Sequence, residues 1–462
     1  MSKQLQMSIS GVRGIVGESL TVENMLRFAQ AFGTLVGPGK ILVGRDTRVS
    51  GRMIEHAILA GLQSVGCQTL LADIVATPTL LILTQEHKAA GGIAITASHN
   101  PASWNALKFV ENSGLFLNEH RFEQLKQLYE KQKLAPVAHV KEKDLKSTIC
   151  LDQEKVTHAH FQRILNYVNT QGIRRQKFKV AVDCCNGVGA VHTIPFLRDS
   201  LGCEVFPVFD EPDGLFRRDP EPTPKNLQRL QQTVIQHDCA IGFAQDPDGD
   251  RLALVDEKGH ALVEDLTLAL AVQQVLTRHG KGPVAINLST SKSVEYVAQQ
   301  HNCPVTRTKI GEINVTEALL AKNAQVGGEG NGGVIIPAIH PCRDSYAGMA
   351  VLLELLMDKQ QPLSQISSTI PDYHLIKNKL PLGDIEPSHL LQTIADQYAG
   401  QNINTLDGIH IDFGDAWAQV RASNTEPILR ISAEALSPTK AQQLCDDISQ
   451  LINTHLLYLR AF

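Results

Sequence analysis

Three stretches of the chain repeat one pattern of apolar and polar positions. Each pairs a short β-branched run with an amphipathic helical stretch, and a second apolar run follows a Gly-Cys or Asn-Cys step. This alternation is typical of βαβ units, in which helices cover a sheet of parallel strands. The copies begin at KILVGRDTR, FKVAVDCCNGVG and GPVAINLSTSKS, with helices predicted over 56–65, 194–201 and 294–301. Because roughly 100 residues or more separate them, they predict separate α/β domains rather than a solenoid.

The last part of the chain has a different pattern. Alternating runs over 373–380, GIHIDFGDAWAQVRAS and ILRISAEA predict strands, and a final helix is predicted from Pro438. Strands and helices that are grouped in this way favour an α+β domain. Exposed joints are predicted at 141–148, 256–264 and 357–371. We therefore predict three similar α/β domains over 1–145, 146–255 and 256–368, and a smaller α+β domain over 369–462.

Composition and charge exclude two classes of protein. The 462 residues are 43% hydrophobic and 20% charged, which is not the composition of a disordered chain. With 48 acidic and 43 basic residues the net charge is −5, so no basic excess is present to bind nucleic acid. An anionic substrate would therefore need locally placed cations.

Signals for export and membrane insertion are not expected. No run of 18 apolar residues predicts a membrane span, and the N-terminal MSKQLQMSIS does not have the pattern of a secretory signal. The nine cysteines are scattered along the chain. This favours reduced thiols in a cytoplasmic protein over a disulfide framework or a zinc knuckle.

The first candidate for chemistry is the hexapeptide TASHNP, which follows the apolar run GGIAI. Ser98 is predicted to lie at the carboxyl end of a strand, the side on which α/β sheets bind ligands. His99 and Lys108 could orient or activate its hydroxyl. A polar Asn-Pro turn would have the same sequence, so this alternative stays open. The G-x-S-x-G turn of esterases is missing here, which disfavours that class.

The second candidate is the sequence DPDGDR, which follows the run AIGFAQ. Asp246, Asp248 and Asp250 alternate on a tight loop and can converge on one hard divalent cation. Ligands that are all oxygen favour magnesium, manganese or calcium over zinc. Arg251 could clamp a phosphate that the cation shares. The alternative is a solvated acidic turn.

The third candidate is the loop RASNTEP with an arginine in the strand that follows. An arginine, two hydroxyls and an amide on one loop form a cage of donors for a dianion. A polar turn that caps a helix is the alternative. The proposed phosphate-binding residues are Arg421, Ser423, Asn424, Thr425 and Arg430.

Three weaker signals complete the set. In the glycine-rich GGEGNGG, Glu329 and Asn331 offer a carboxylate and an amide that suit sugar hydroxyls. Arg13, in SGVRG, could reach a phosphate. Lys309 and Glu312, in TRTKIGE, end a predicted strand, although an exposed ion pair is the ordinary explanation for such residues. Spacing alone gives these positions little weight.

Taken in order, these motifs resemble the α-D-phosphohexomutase superfamily. The family pattern runs through the whole chain as S-G-x-R-G, T-A-S-H-N-P, D-P-D-G-D-R, a G-E loop and R-x-S-N-T-E-P. The resemblance implies a four-domain, heart-shaped molecule with mixed sheets, in which each domain contributes one loop to a central cleft.

The resemblance also implies roles for individual residues. Ser98 corresponds to the family's phosphoserine. The family's magnesium ligands, for one Mg²⁺ per chain, correspond to Ser98, Asp246, Asp248 and Asp250. Glu329 corresponds to the sugar-recognition glutamate, and the loop from Arg421 to Thr425 corresponds to the phosphate-binding loop. We expect Arg13 and Arg251 to stabilise the transferred phosphoryl group, with Lys108 as general acid–base and His99 as the alternative.

The glycine-rich loop departs from a common form of the family, G-E-x-S-G-H. Asn331 stands in place of the serine and Gly333 in place of the histidine. A role tied to that histidine therefore cannot be transferred to this chain. The form G-E-G-N-G-G resembles phosphoglucosamine mutases and their relatives, which favours glucosamine phosphate as the substrate.

The function implied is the interconversion of 6-phospho and 1-phospho amino-hexose. It would proceed through a phosphoserine, with hexose 1,6-bisphosphate as intermediate and activator, in a monomer or homodimer whose partners are small sugar phosphates. Phosphomannomutase or phosphoglucomutase activity uses the same machinery, and few contacts separate such substrates. A non-catalytic sugar-phosphate-binding protein and a metal-dependent phosphatase are further alternatives.

Overall fold

The protein is described by a computed structural model over residues 5–131, 148–382, 385–423 and 428–461. Within these ranges, four β-sheets follow one another along the chain. The joint predicted at 141–148 lies outside the described residues except for Thr148. None of the helices in the described ranges is long and apolar enough to cross a membrane.

The first sheet is mixed. Its strands are β1 (Gln6–Ser8), β2 (Gly11–Ile15), β3 (Lys40–Arg45), β4 (Gln68–Ile74), β5 (Gly91–Ile95), β6 (Trp104–Glu111) and β7 (Thr148–Cys150), and its helices are α1 (Val22–Val36), α2 (Gly51–Ser64), α3 (Thr77–Glu86) and α4 (Glu119–Lys131). The strand order is β1-β2-β6-β5-β3-β4-β7. β3 pairs in parallel with β4 and β5, whereas β6 is antiparallel to β5 and β2. β7 follows the predicted domain boundary at 145 but pairs with β4 of this sheet.

The second sheet has the order β11-β10-β8-β9. Its strands are β8 (Lys179–Asp183), β9 (Glu204–Val208), β10 (Ile241–Gln245) and β11 (Leu252–Val255), and the helices of this region are α5 (His158–Tyr167), α6 (Thr170–Gln176), α7 (Gly189–Pro195) and α8 (Gln228–Gln236). A helix was predicted over 194–201. Instead α7 ends at Pro195, and the chain continues as a π-helical turn, Phe196–Ser200.

The third sheet has the order β13-β12-β14-β15-β16. Its strands are β12 (Val284–Asn287), β13 (Val305–Thr308), β14 (Val326–Glu329), β15 (Gly333–Ile336) and β16 (His340–Arg343), and its helices are α9 (Glu264–Arg278), α10 (Lys292–Gln300), α11 (Glu312–Ala321), α12 (Ser345–Lys359) and α13 (Leu363–Ser367). The joint predicted at 357–371 thus contains the end of α12 and all of α13.

The fourth sheet is entirely antiparallel, in the order β17-β21-β20-β19-β18. Its strands are β17 (His374–Pro381), β18 (Asn402–Asn404), β19 (Ile409–Asp412), β20 (Ala416–Ala422) and β21 (Ile428–Ala435), and its helices are α14 (Pro387–Gln397) and α15 (Pro438–Ala461). The predicted fold class, three α/β domains with mixed sheets followed by an α+β domain, is confirmed.

The first three sheets share a four-strand arrangement. In each, a first strand pairs in parallel with the second and third, and a fourth strand returns antiparallel to the third. The third and fourth strands are β5 and β6, β10 and β11, and β14 and β15. The loops that join these pairs hold TASHNP, DPDGDR and GNG. The repeated topology therefore places all three motifs at the carboxyl ends of equivalent strands, the ligand side of such sheets.

Two of the hydrophobic cores differ in the number of sheets that they include. One continuous core spans the second and third sheets, and Tyr346 of α12 packs against Phe161 and Phe196 within it. The fourth sheet has a separate core, in which Ile448 and Ile452 of α15 face Val420 and Ile431. The fourth domain is therefore packed as a unit of its own beside the others.

Candidate active site

Loops of all four sheets line one cavity of about 520 Å³. Six of its described lining residues are cationic and two are carboxylates. These locally placed cations suit a phosphorylated ligand even though the chain as a whole is net negative. The charged lining residues are Arg13, Lys108, Arg251, Glu312, Glu329, Arg343, Arg421 and Arg430.

Ser98 lies in the loop between β5 and β6 with its hydroxyl directed at the acidic loop. Its Oγ donates a hydrogen bond of 2.6 Å to Asp246 Oδ2. Its φ of +48° falls in the left-handed region, which a non-glycine residue adopts only at an energetic cost. The turn is held by Thr96, whose Oγ1 accepts from Ser98 N at 3.0 Å and donates to Asp46 Oδ2 at 2.7 Å.

Arg48, which the sequence did not single out, fixes the rest of this loop. Its buried guanidinium donates to the carbonyl oxygens of Ser98 and Asn100 at 2.7 Å each, and to those of Pro101 and Trp104 at 2.7 and 3.0 Å. Because the planar guanidinium of Arg48 binds four carbonyl oxygens of the loop, it restricts the conformation that the loop can adopt. The strained serine backbone is therefore maintained by its surroundings.

The three aspartates between β10 and β11 are fully buried, and the lining residues Ser98 and Lys108 hydrogen-bond to them. One carboxylate oxygen from each lies within 4.8 Å of the others. Asp248 Oδ2 accepts from Lys108 Nζ and from Thr77 Oγ1 at 2.7 Å each. Among the described residues, no group donates a hydrogen bond to Asp248 Oδ1 or Asp250 Oδ1, although both oxygens are buried. Buried, unpartnered carboxylate oxygens that converge in this way fit a hard divalent cation.

Electrostatics divide the roles of these acids. Burial, followed by the charges of Asp250 and Asp248, raises the pKa of Asp246. Burial also acts on Asp248, but Lys108 and the hydrogen bonds it accepts outweigh this and lower its pKa. For Lys108, burial lowers the pKa, yet the two neighbouring carboxylates dominate and raise it. Lys108 is therefore a fixed cation against the acidic loop, with Asp250 Oδ2 at 3.5 Å.

The remaining residues predicted near the serine line the same cavity. His99 Nδ1 lies 3.5 Å from Ser98 Oγ. Burial, together with Arg251, Arg13 and Arg343, lowers the pKa of His99 to about 2, so its ring is neutral. Arg13 Nη1 lies 3.5 Å from Asn100 Oδ1. Arg251 follows the acidic loop, with Nε 3.9 Å from Asp250 Oδ1.

The glycine-rich loop between β14 and β15 presents Glu329 and Asn331 to the cavity. Glu329 Oε1 accepts from Asn287 Nδ2 at 2.8 Å and from the backbone N of Gly311 at 3.0 Å. Gly332 has a φ of +80°, and a Cβ there would overlap the carbonyl of Leu252. Glycine is therefore required at 332, and it lets the loop close tightly against β11.

Arg343 was also missed by the sequence reasoning, although it lies at the centre of the site. Its guanidinium donates to Asp250 Oδ2 at 2.6 Å, to Glu329 Oε2 at 2.8 Å and to Glu312 Oε2 at 3.1 Å. Its backbone N also donates to Glu312 Oε1 at 2.8 Å. The sequence does show an arginine at the end of a strand, β16. It does not indicate that the side chain of this arginine lies inside the protein.

The residues that the sequence predicted to bind phosphate belong to the fourth sheet. Arg421 of β20 and Arg430 of β21 are direct cross-strand partners, and both line the cavity together with Ser423. Burial and the neighbouring Arg430 lower the pKa of Arg421, an effect that Asp407 partly offsets. Asn424 and Thr425, predicted to belong to the same cage, lie outside the described residues.

Lys309 and Glu312 have different surroundings despite their proximity in sequence. Glu312 is buried and lines the cavity. Lys309 is half exposed, with its Nζ 3.8 Å from Glu119 Oε2, and it is not among the described residues that line the cavity. Lys309 directly follows β13, whereas Glu312 begins α11 after Gly311, which has a φ of +123°.

Comparison with known families gives a consistent assignment along the chain. Residues 5–136, 158–259 and 264–373 match alpha/beta/alpha domains I, II and III of phosphoglucomutase/phosphomannomutase. Residues 384–451 match its C-terminal domain. The matched regions coincide in order with the four sheets.

Full-length relatives carry two kinds of name. A probable phosphoglucosamine mutase of Methanopyrus kandleri is 34% identical over 446 residues, which cover 96% of each chain. A phosphoglucomutase/phosphomannomutase of Thermococcus kodakarensis is 36% identical, covering 94% of this chain and 95% of the relative. A putative phosphomannomutase of Thermus thermophilus has a solved structure that superposes with a TM-score of 0.82 at 25% identity, over 98% of this chain and all of the other.

Proposed function

The chain belongs to the phosphoglucomutase/phosphomannomutase family, and we propose that it interconverts glucosamine 6-phosphate and glucosamine 1-phosphate. Membership carries the broader assignment of a phosphohexomutase, an isomerase of sugar phosphates. The superfamily inferred from the order of motifs is thereby confirmed. The choice of hexose and the roles of single residues are the proposal.

One observation carries the assignment of the reactive group. Ser98 Oγ lies 2.6 Å from Asp246 Oδ2 and lines the same cavity as Arg421 and Arg430. A sugar with phosphates at both ends could place one at the serine and the other between the arginines. This arrangement suits phosphoryl transfer, because such transfer depends mainly on positioning and electrostatic stabilisation.

The bond changes balance in two steps. In the first step a sugar hydroxyl oxygen bonds to the phosphorus carried by Ser98 while the P–Oγ bond breaks; the hydroxyl gives its proton to a base and Ser98 Oγ takes up a proton, which gives hexose 1,6-bisphosphate. The bisphosphate then turns over, and in the second step Ser98 Oγ bonds to the phosphorus of the other phosphate while the bond from that phosphorus to the sugar oxygen breaks; the serine gives up its proton and the sugar oxygen takes one up. We expect the same bisphosphate to act as activator when it is added to unphosphorylated protein.

The proton needs an acceptor, and the sequence offered Lys108 and His99. Lys108 Nζ is held in an ion pair with Asp248 at 2.7 Å. His99 Nδ1 lies 3.5 Å from Ser98 Oγ and belongs to a neutral ring. The geometry favours His99 as the partner of the serine oxygen and Lys108 as a fixed cation beside the phosphoryl group.

The acidic triad and the serine oxygen would hold Mg²⁺, since every donor is a hard oxygen. When bound, such an ion supplies electrostatic stabilisation of the charge on the transferred phosphoryl group. Arg13 and Arg251 line the same end of the cavity and add fixed positive charge there. Glu329 and Asn331 would accept and donate hydrogen bonds at the sugar hydroxyls.

Two features support an amino sugar. The loop has the form G-E-G-N-G-G, and the relative from Methanopyrus kandleri is named a probable phosphoglucosamine mutase. A second candidate is phosphoglucomutase/phosphomannomutase activity, which the name of the Thermococcus kodakarensis relative favours.

A substrate panel tests the choice. Glucosamine, glucose, mannose and N-acetylglucosamine 1-phosphates are each supplied with Mg²⁺ and glucose 1,6-bisphosphate, and the 6-phosphate formed is measured. We expect the highest kcat/KM for glucosamine 1-phosphate. A higher value for glucose or mannose 1-phosphate would support the second candidate. Stoichiometric release of inorganic phosphate would instead indicate a phosphatase.

A further inference from the structure

Arg343 links the acidic loop to the sugar side of the cavity. The arginine is 9% exposed, and its three guanidinium nitrogens each donate to a different carboxylate, those of Asp250, Glu312 and Glu329. A planar guanidinium can satisfy three acceptors in fixed directions, which a lysine ammonium on a flexible stem does less well. One side chain therefore fixes one oxygen of Glu312 and one oxygen of Glu329.

The path of Arg343 depends on a neighbouring glycine. A Cβ built on Gly333 would overlap Cδ of Arg343 and would lie 3.0 Å from Asn331 Oδ1. The overlap is with the middle of the arginine stem, which is fixed at its far end by three ion pairs. Any side chain at 333 would therefore have to displace the stem. The φ of Gly333 does not itself require glycine, so the space for Arg343 is the reason that the structure provides.

We propose that Arg343 positions Glu329 and Glu312 to bind the sugar ring, and that glycine is required at 333 because it admits the arginine. Arg343 acts through the two carboxylates and is thus a positioning residue. The inference rests on the proposed function in that the carboxylates face a sugar, but it does not depend on which hexose is preferred.

The effect of Arg343 on the two carboxylates depends on geometry rather than on net charge. Glu329 Oε1 already has two donors, Asn287 and Gly311, so Arg343 fixes the direction of the remaining oxygen. A hydrogen bond to a sugar hydroxyl is strong only over a narrow range of distance and angle. Releasing Oε2 from Arg343 would leave the carboxylate in place but free to rotate. Affinity for the sugar is then expected to fall more than the rate of the bound complex.

The test uses two conservative variants of the full-length protein, Gly333→Ala and Arg343→Lys. Each is expected to raise KM for the best hexose 1-phosphate at least about tenfold while kcat changes less than about threefold. Calorimetric binding of glucose 1,6-bisphosphate should weaken by a similar factor. Gly400→Ala is the matched control, because a Cβ at Gly400 meets no atom within 4 Å.

A double-mutant comparison shows whether the methyl group that Gly333→Ala introduces acts on Arg343 or on Asn331. If Gly333→Ala acts by displacing Arg343, combining it with Arg343→Lys should add less than about twofold to either single effect. If it acts through Asn331, the shortfall from additivity should appear with Asn331→Ala instead, which would overturn the inference about Gly333.

The remaining outcomes are also decisive. Unchanged KM and unchanged bisphosphate affinity in both variants would overturn the proposal, and so would a lower melting temperature without a change in affinity, since that indicates a purely structural ion pair. Because bisphosphate binding needs no turnover, it still reports on Arg343 if every hexose phosphate in the panel proves inactive. In that case the proposed function fails while this inference remains testable.

Discussion

Two parts of the cavity lining, called here the serine end and the arginine end, are built differently. At the serine end, Ser98, Asp246 and Asp248 are buried and joined to one another or to Lys108 by hydrogen bonds of 2.6–2.7 Å. At the other end, Arg421 and Arg430 are half-buried on neighbouring antiparallel strands of the fourth sheet. The serine end joins the first and second α/β units, whereas the arginine end belongs to a domain with its own core.

Few polar contacts of the described residues tie the fourth domain to the third near the cavity. Ile310 N donates to Asp407 Oδ2 at 3.0 Å, and Lys292 Nζ lies 2.9 Å from Asp412 Oδ1. Lys292 N also donates to Glu434 Oε1 at 2.8 Å. The groups that we propose to react are thus fixed in place, while the groups that we propose to bind the other phosphate lie on a separately packed unit. We therefore expect changes at the serine end to affect kcat and changes at the arginine end to affect KM.

The largest effect is expected from Ser98→Ala. Removing the phosphoryl carrier should lower kcat by at least about 1,000-fold, as for other nucleophiles that act within a set of groups. Conversion of 1-phosphate into 6-phosphate measures it. Ser103→Ala, an exposed serine of the same loop, is the control and should retain wild-type kcat. A Ser98→Ala enzyme with an unchanged rate would reject the serine as carrier.

The next effect is expected from Asp250→Asn. The asparagine keeps the shape but removes a negative charge from the triad, so Mg²⁺ affinity should fall by at least about 100-fold, since even outer partners of metal ligands are worth 10–100-fold. Calorimetric titration with Mg²⁺ measures the affinity directly. Asp396→Asn, on the exposed face of α14, should bind Mg²⁺ as the wild type does. Equal affinity in the two variants would mean that the ion binds elsewhere.

A smaller effect, and of a different kind, is expected from Arg421→Ala. Hydrogen bonds to charged groups contribute about 1.5–3 kcal/mol, which corresponds to a rise in KM of roughly 10- to 150-fold. We expect kcat to change by less than about threefold. Arg175→Ala, exposed on α6, provides the control. A fall in kcat with unchanged KM would contradict the division between the two ends.

The smallest effect is expected from Lys292→Ala, which removes one tie between the third and fourth domains. The pair joins a largely buried lysine to a partly exposed aspartate, so its loss should cost about 1 kcal/mol and KM should rise by no more than about fivefold. The matched control is Lys440→Ala, because the pair between Lys440 and Asp415 lies within the fourth domain, at 2.7 Å. If both variants raised KM equally, the effect would not arise at the boundary between the domains.

The sequence predicted the positions of the loops well because the signal was local. The strands that precede Ser98 and Asp246 are short runs, apolar apart from Gln245, and each stops at a polar motif. The topology that unites them was also accessible, since each βαβ pattern repeats in order along the chain. The resemblance to a known family then implied that these loops lie together in one central cleft.

The residues that were missed act over long sequence distances. Arg343 lies 93 residues from Asp250, and Arg48 lies 50 residues from Ser98. An arginine beside a strand is usually exposed, so composition and periodicity gave no reason to place either side chain inside. Lys309 illustrates the opposite difficulty, because the sequence TRTKIGE does not distinguish the buried Glu312, which lines the cavity, from the half-exposed Lys309, which is not among the described lining residues.

The central claim is that Ser98 carries the phosphoryl group between the two positions of the sugar. The most direct test is the intact mass of the protein after incubation with glucose 1,6-bisphosphate and Mg²⁺, followed by peptide mapping. We predict one additional phosphoryl group, located on Ser98 and lost when excess hexose monophosphate is added. A phosphoryl group on another residue, or full turnover by protein that never acquires one, would contradict the account.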